Sequence, residues 1–356
     1  MSGTSLDGID VALIRTDGES FVEHGPSMTF PYSAERQTLL RQALRDALSI
    51  TNRKQRPGVL AHVEEELTHW HVGALEKFFE TTDFDNSMID VIGFHGQTVL
   101  HRPDQKLTVQ LGIGQIIADT FLIPTVSDMR AADVAAGGQG APLVPVYHRA
   151  LARNPPVAFV NIGGVANVTY VGKQGEFLAF DTGPGNALIN DWVEKHTGQT
   201  FDDGGKFASA GTVSASHLRE AMASPYFEQR PPKSLDRNSF AHMNFNGLSL
   251  EDGAATLTAF TAKSIAASAK WFATPVKQWV ICGGGRHNAA LMAALRTELQ
   301  NVVVAEDLHL NGDSMEAEAW AYLAVRSLRR LPISFPTTTG VASPQTGGIL
   351  VRGRVE

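Results

Sequence analysis

The sequence predicts an α/β protein, on three observations. Short β-branched or aromatic runs alternate with amphipathic helical stretches, no low-complexity linker interrupts them, and the order of elements repeats once along the chain. Strands are expected at Ile9–Ile14, Phe21–Phe30, Met88–Phe94, Leu122–Ser127, Val157–Ile162, Val165–Val171, Phe177–Phe180, Gln278–Cys282 and Val302–Ala305, each bounded by turn residues. Between them, Leu60, Val63, Leu67, Trp70, Leu75 and Phe78 recur at helical spacing. Leu257, Phe260, Ile265, Ala269 and Phe272 do so more loosely, and each set reads as a helix face turned to the core.

The repeat sets the organisation. The first half runs from a glycine-rich turn through two strands and helices to a strand ending in GFHGQT, then a strand and a helix. The second runs from a strand and the NIGGVANV turn through two strands and helices to a strand ending in CGGGRHN, then a strand and a helix. Two domains follow, 1–145 and 146–356, with the boundary near Pro142–Pro155. Such a duplication is expected to set two glycine-rich turns across a cleft, each offering backbone N–H groups to one polyphosphate.

Composition narrows the function. With 356 residues, 43% of them hydrophobic, the chain can bury a core in each domain. A net charge of −7 argues against nucleic acid or an anionic membrane as partner and leaves small molecules. The one cysteine, Cys282, excludes an internal disulfide and suits a reducing compartment, so a cytoplasmic location is expected. No stretch approaches the roughly 20 apolar residues of a membrane span, and the first residues lack the regions of a signal peptide.

Six segments carry candidate chemistry. The first is Gly3, Thr4, Ser5, Leu6, Asp7 and Gly8, continued by Ile9 and Asp10. No Gly-Lys-Ser/Thr follows, so it is not a Walker loop. It reads either as a phosphate turn, with Thr4, Ser5 and neighbouring amides on the β- and γ-phosphates and Asp7 or Asp10 orienting a metal-bound water, or as an ordinary hairpin turn. The second is FDTGPGN at Phe180–Asn186. There Asp181 is expected at a strand end beside a helix, with Gly183 and Gly185 letting a ligand approach. Asp181 is a candidate base, or else Asp181 or Thr182 caps the helix. The second turn of the repeat holds Gly163 and Gly164.

Three glycines, Gly283, Gly284 and Gly285, precede a helix and suit an adenosine ring, with Arg286, His287 and Asn288 at the rim; the other reading is a tight corner. In GFHGQTVLHRP, alternation puts His95, Gln97, Val99 and His101 on one side of an extended segment. His95 and Gln97 then bind sugar hydroxyls or an amide, or His95 is structural. No third ligand makes a metal site there, and no metal ligands are assigned. Asp128, Arg130, Asp133 and Gln139 follow within a dozen residues. Arg130 can pair with a substrate carboxylate, or the segment is a hinge with an internal ion pair.

Taken in order, MSGTSLDGID, GFHGQT, SDMRAADVAAGGQGAPLVP, NIGGVANV, FDTGPGN, CGGGRHN and MEAEAWAYLA resemble the anhydro-N-acetylmuramic acid kinases, sugar kinases of the hexokinase, actin and heat-shock-70 superfamily. The resemblance spans nearly the whole chain, is most specific in AAGGQGAPLVP and DTGPGN, and extends to RPPKSLDRNSF at Arg230–Phe240. It implies duplicated actin-like, ribonuclease H-like domains flanking a cleft, ATP and Mg²⁺ as cofactors, an amino sugar as substrate, and a homodimer. The implied reaction phosphorylates O6 of 1,6-anhydro-N-acetylmuramic acid while water opens the anhydro bridge, in cell-wall recycling. Asp181 matches the family's base and Glu316 a second acid near the same water, with Glu318 two residues on. His95, Gln97, Arg130, Asp133 and Gln139 are the expected sugar-binding residues. Family members usually carry a strand before the segment that opens here, so Met1 is expected to be an internal methionine. The other readings are a different sugar or carboxylate kinase of the superfamily, or a nucleotide-binding module without turnover. Asp181 argues against the latter.

Overall fold

The computed structural model of the chain describes residues 1–3, 5–82 and 84–354. In chain order, β1 (Gly8–Thr16) and β2 (Val22–Pro31) form a hairpin, followed by α1 (Ala34–Ala47) and the long α2 (Leu60–Thr82). Next come β3 (Ile92–Gly93), β4 (Gln97–Arg102), β5 (Leu107–Leu111), α3 (Gly114–Phe121), β6 (Thr125–Ser127), α4 (Ala131–Ala135) and α5 (Pro145–Leu151). The second set of strands begins with β7 (Val157–Ile162), β8 (Val165–Val171) and β9 (Phe177–Pro184). Then follow α6 (Ala187–Thr197), α7 (Lys206–Ala210), α8 (Ala215–Met222), α9 (Leu250–Ala267), β10 (Gln278–Cys282), α10 (Ala289–Glu298) and β11 (Val302–Val304). The chain closes with α11 (Met315–Leu328) and β12 (Ile349–Val351).

These elements form two compact units, Met1–Leu151 with Ser314–Glu356, and Ala152–Asp313. This differs from the expected division at 145/146. The cause is α11, which buries Trp320, Leu323 and Ala324 and packs on β1 and β3, binding the last stretch of chain to the first unit.

The second unit has the regular sheet. Its strand order is β11-β10-β7-β8-β9; β8 runs antiparallel to both neighbours, and β10 and β11 run parallel to β7. Numbered within the unit this is 3-2-1-4-5 with the second strand reversed, the ribonuclease H-like order. Strands of β-branched residues buried on both faces suit the middle of such a sheet. Ala158, Val160 and Ile162 of β7 accordingly share a core with Ile265 of α9 and Leu291 and Leu295 of α10.

The first unit holds comparable parts in separate pieces. β1 pairs with β2 along its length and is bridged at Ile9 by Ser2, β3 and β6 are parallel with β12 added antiparallel to β6, and β4 and β5 make a hairpin. Its core gathers Leu40 and Ala43 of α1, Leu60, Val63 and Leu67 of α2, and Val109 and Leu111 of β5.

Four expectations are corrected. Of Met88–Phe94 only Ile92–Gly93 is strand, and Leu122 is a left-handed C-cap at φ 56°, so β6 starts at Thr125. The register of β4 against β5 shifts between Thr98 and Leu100, a bulge that breaks alternation. Val99 and Leu100 are therefore both buried while His101 is exposed, so His101 does not share a face with Gln97 and Val99. Finally, β9 continues through Asp181 to Pro184, with Asp181 opposite Asn167. Asp181 thus stands inside a strand, and Asn186, not Asp181 or Thr182, precedes α6.

Candidate active site

In the first unit the phosphate-turn candidate links the start of β1 to Met1 and Ser2. Leu6 takes a left-handed φ of 58° and donates its N–H to Gly3 O, while the Ser5 hydroxyl donates to the Asp7 carboxylate at 2.7 Å. Leu6 and Ile9 turn their side chains into the core, so only their backbone can serve a ligand. Gly8 is required by packing, because a Cβ there would stand 2.6 Å from Phe30 O. Asp10 accepts from the Thr29 hydroxyl at 2.7 Å. Thr4 lies outside the described residues.

His95 and Gln97 do not stand open to solvent. They brace this turn. Both are buried; the Gln97 amide donates to Gly3 O at 3.1 Å and the Ser2 hydroxyl donates to Gly96 O at 2.8 Å. Carbonyls of Ser2 and Gly96 both lie within hydrogen-bond reach of His95 Nδ1, which makes Nδ1 the protonated nitrogen. Burial and the Arg130 charge hold this imidazole neutral, well below its ordinary pKa. Nε2 is then an acceptor, and Arg130 Nη2 donates to it at 3.3 Å.

Arg130 is the hub of the first unit's polar cluster. Its Nη1 donates to Gly140 O at 3.0 Å, and its guanidinium lies 4.9 Å from the centre of the Trp320 ring, which itself meets His95 edge-on. Burial lowers its pKa to about 10, opposed by Glu316 and Asp133, so it is charged at neutral pH. Glu316 stands in the first turn of α11, with part of its surface open to solvent. Loss of bulk water around it raises its pKa, Arg130 lowers it, and Asp10 and Asp7 raise it again. Glu318 is different: it is buried and accepts hydrogen bonds from the Tyr147 hydroxyl at 2.7 Å and the Ser314 hydroxyl at 3.3 Å. Two carboxylates that sequence alone could confuse are thus separated by environment.

Asp133 is a structural pin. It is buried and accepts from Gly140 N at 2.6 Å and from the hydroxyls of Ser334 and Thr339, fixing the Gly137–Gly140 loop. Gln139 joins the same loop through its backbone N–H, donated to Thr339 O, and keeps its side chain half-buried.

In the second unit, Gly163 and Gly164 form the β7–β8 turn. Their carbonyls accept the N–H groups of Asn186 and Gly185 at 2.8 and 2.9 Å, tying the turn to the start of α6. A side chain at Gly164 would meet only Ala187 at 3.7 Å, so this turn has room beside it, whereas a Cβ at Gly185 would sit 2.3 Å from Gly163 O. Gly183 serves packing, since its missing side chain makes space for Ser264 of α9.

Asp181 is half-buried, and its carboxylate accepts the backbone N–H of Leu235 at 2.7 Å. Burial raises its pKa to about 6, against the lowering effect of that bond. The Tyr226 hydroxyl donates to Asp181 O at 2.5 Å, Asp181 N donates to Lys233 O, and Lys233 Nζ donates to Tyr226 O at 2.8 Å. The segment around Lys233 and Leu235 therefore clamps the strand that carries the acid. Thr182 donates its hydroxyl to Ala166 O and caps nothing.

The three glycines after β10 divide by role. Gly283 has φ 73° and would place a Cβ 2.3 Å from the Asn161 side chain; Gly285 would place one 2.4 Å from Ile162. Only Gly284 faces open space. Asn288 caps α10, its side-chain oxygen accepting from Leu291 N at 3.0 Å. Arg286 is buried between Glu306 and Asp313 at 2.9 and 2.7 Å, which makes it a support for the corner and not a rim residue. Sequence reasoning missed Trp320 as the partner of Arg130, and Tyr226, Lys233 and Leu235 as the partners of Asp181. MEAEAWAYLA contains Trp320 and RPPKSLDRNSF contains Lys233 and Leu235, while Tyr226 lies outside both segments.

The family described as anhydro-N-acetylmuramic acid kinase matches residues 1–352. The anhydro-N-acetylmuramic acid kinase of Agrobacterium fabrum (strain C58) is 50% identical over 362 residues, covering 99% of this chain and 97% of that protein. That of Rhodopseudomonas palustris (strain CGA009) is 51% identical over 358 residues, covering 99% and 98%. Among solved structures, component A of the (R)-2-hydroxyglutaryl-CoA dehydratase of Acidaminococcus fermentans is 13% identical with a TM-score of 0.44, covering 90% of this chain and 99% of that one. A likeness that weak adds nothing to the family assignment.

Proposed function

The chain belongs to the anhydro-N-acetylmuramic acid kinase family, and from that premise we propose that it uses ATP to convert 1,6-anhydro-N-acetylmuramic acid to N-acetylmuramic acid 6-phosphate and ADP. The observation that carries this reading is Asp181, a half-buried carboxyl raised to about 6 on a clamped strand next to an open glycine turn.

The chemistry asks for such a group. O6 of the anhydro-sugar is one end of an ether and carries no proton to remove. Water must instead be deprotonated to attack C1; the C1–O6 bond breaks, O6 attacks the γ-phosphorus, and ADP departs. A base near neutrality suits that step, because it is ionised at working pH and still accepts a proton. Asp181 takes the water's proton. Glu316 is proposed as a second acid on family resemblance alone. Arg130, oriented by neutral His95 and Trp320, is the cation for the sugar's lactyl carboxylate.

The turn at Gly3–Gly8 has backbone amides suited to phosphate, and so, within its own unit, has the turn at Gly163–Gly164. Among the described residues no group of three or more metal-ligating side chains is assembled. Mg²⁺ commonly takes only one or two carboxylates and fills its shell with phosphate oxygens and water, so Asp7 and Asp10, which both bear on the Glu316 charge, fit that demand. The ion would neutralise charge on the transferred phosphoryl group.

No helix among the described residues is long and apolar enough to cross a membrane. A cytoplasmic homodimer is part of this proposal, on family resemblance. Incubation with ATP, Mg²⁺ and the anhydro-sugar, followed by detection of a 6-phosphorylated reducing sugar, tests the reading; ADP without that product rejects it.

A further inference from the structure

Residues 230–236 carry the Leu235 N–H that meets the Asp181 carboxylate, yet they form neither helix nor strand. A loop that must aim a donor needs side chains to hold it.

Lys233 is the anchor at one end. Its Nζ donates to Tyr226 O at 2.8 Å and lies 4.2 Å from the centre of the Tyr226 ring, 5.7 Å from that of Phe180 and 5.9 Å from that of Trp271. Three rings therefore hold the ammonium beside its hydrogen bond. At the other end the Leu235 side chain packs against a cluster that contains Tyr226, Phe227, Phe240 and Phe260, whose rings stack or meet edge-on with one another. Both anchors thus rest on one rigid aromatic core.

The contacts close a circuit on the acid. The Tyr226 hydroxyl donates to Asp181 O, Asp181 N donates to Lys233 O, and Leu235 N donates to the carboxylate two residues further along. The ammonium's own bond goes to Tyr226, so it reaches the carboxylate through the backbone. Resting on the reading of Asp181 as the base, we propose that Lys233 is a positioning residue of the reaction: its ammonium, seated on Tyr226, holds the Leu235 N–H against the carboxylate that takes the water's proton. That bond opposes the effect of burial on Asp181, so a slack segment leaves a weaker acid. Burial and then Lys270 lower the Lys233 ammonium to about 8 against the raising effect of Glu228, which leaves it charged where Asp181 works.

Three variants of the full chain test this. Lys233→Met keeps an apolar stem on the rings and removes the charge, Lys233→Gln removes it with a shorter polar tip, and Lys233→Arg keeps a cation. The Asp181 carboxyl is titrated directly by carbon-13 NMR on protein labelled at the aspartate carboxyls, its resonance identified by its loss in Asp181→Asn. Melting curves and kcat/KM are followed over the same pH range. In Lys233→Met and Lys233→Gln the midpoint of Asp181 should move up by about one pH unit, the size expected for losing one hydrogen bond to a carboxylate, and the acid limb of kcat/KM should move with it. Lys233→Arg should keep both near the parent. An unmoved midpoint in either folded neutral variant, whatever its melting temperature, would reduce Lys233 to packing and overturn the proposal, and so would a shift in Lys233→Arg as large as in Lys233→Met. A midpoint that moves while the kcat/KM limb stays would uphold the link from Lys233 to Asp181 and reject Asp181 as the base.

Discussion

The carboxylate of Asp181 and the backbone N–H of Leu235 are joined by a 2.7 Å hydrogen bond. That bond favours the ionised form, burial favours the neutral one, and burial prevails, leaving the acid near 6. The same balance controls both stability and rate.

For stability, the unfolded acid titrates near 3.9 and the folded one near 6. The folded state therefore binds the proton more tightly, and this group's contribution is fully present below the unfolded value and lost as pH rises through about 6. Asp181→Asn, which retains an acceptor for Leu235, should be more stable than the parent at pH 7.5 by roughly 1–3 kcal/mol, with the difference vanishing near pH 4. Urea unfolding at the two pH values measures it. For rate, kcat/KM should rise with pH through a single-proton limb near 6 and then level.

A side chain at Gly284 meets no protein atom, and one at Gly285 meets Ile162 at 2.4 Å. Gly284→Val should thus fold normally and lose ATP affinity by about tenfold or more, equal to about 1.4 kcal/mol. Gly285→Val should instead destabilise the unit. Calorimetric titration with a nonhydrolysable ATP analogue, beside a melting curve, separates the two; full ATP affinity in Gly284→Val would remove the adenosine from this corner.

His95 connects the turn to Arg130 through two ring nitrogens. His95→Phe fills similar space and leaves buried Ser2 O, Gly96 O and Arg130 short of a partner. A loss of about 1–3 kcal/mol is expected in chemical denaturation, with a raised KM for the sugar as Arg130 loses its orientation. Unchanged KM alongside lowered stability would confine His95 to bracing the turn.

The sequence carried the second unit's sheet well. Val157–Ile162, Val165–Val171 and Gln278–Cys282 are short runs rich in β-branched and aromatic residues, and the structure makes each a strand with those bounds. It carried the first unit less well. The bulge at Val99 depends on its register against β5, and the left-handed Leu122 on where the preceding helix ends, so side-chain alternation could not register them. The continuation of β9 through Asp181 to Pro184 was hidden for a related reason: Thr-Gly-Pro reads as a turn, and only pairing with β8 keeps it extended. Site residues were recognised by type and motif, but their partners were not. Nothing local distinguishes Glu316 from Glu318, or tells that Asp133 closes on Ser334 and Thr339, about 200 residues away.

The central claim is that Asp181 activates the water whose attack releases O6 to the γ-phosphorus. The most direct measurement follows ADP and reducing sugar together in single-turnover reactions of Asp181→Asn with ATP, Mg²⁺ and 1,6-anhydro-N-acetylmuramic acid. Both products should fall together, by roughly a hundredfold or more, while sugar and ATP binding persist. ADP formed at the parent rate, with the sugar opened or not, would contradict the account.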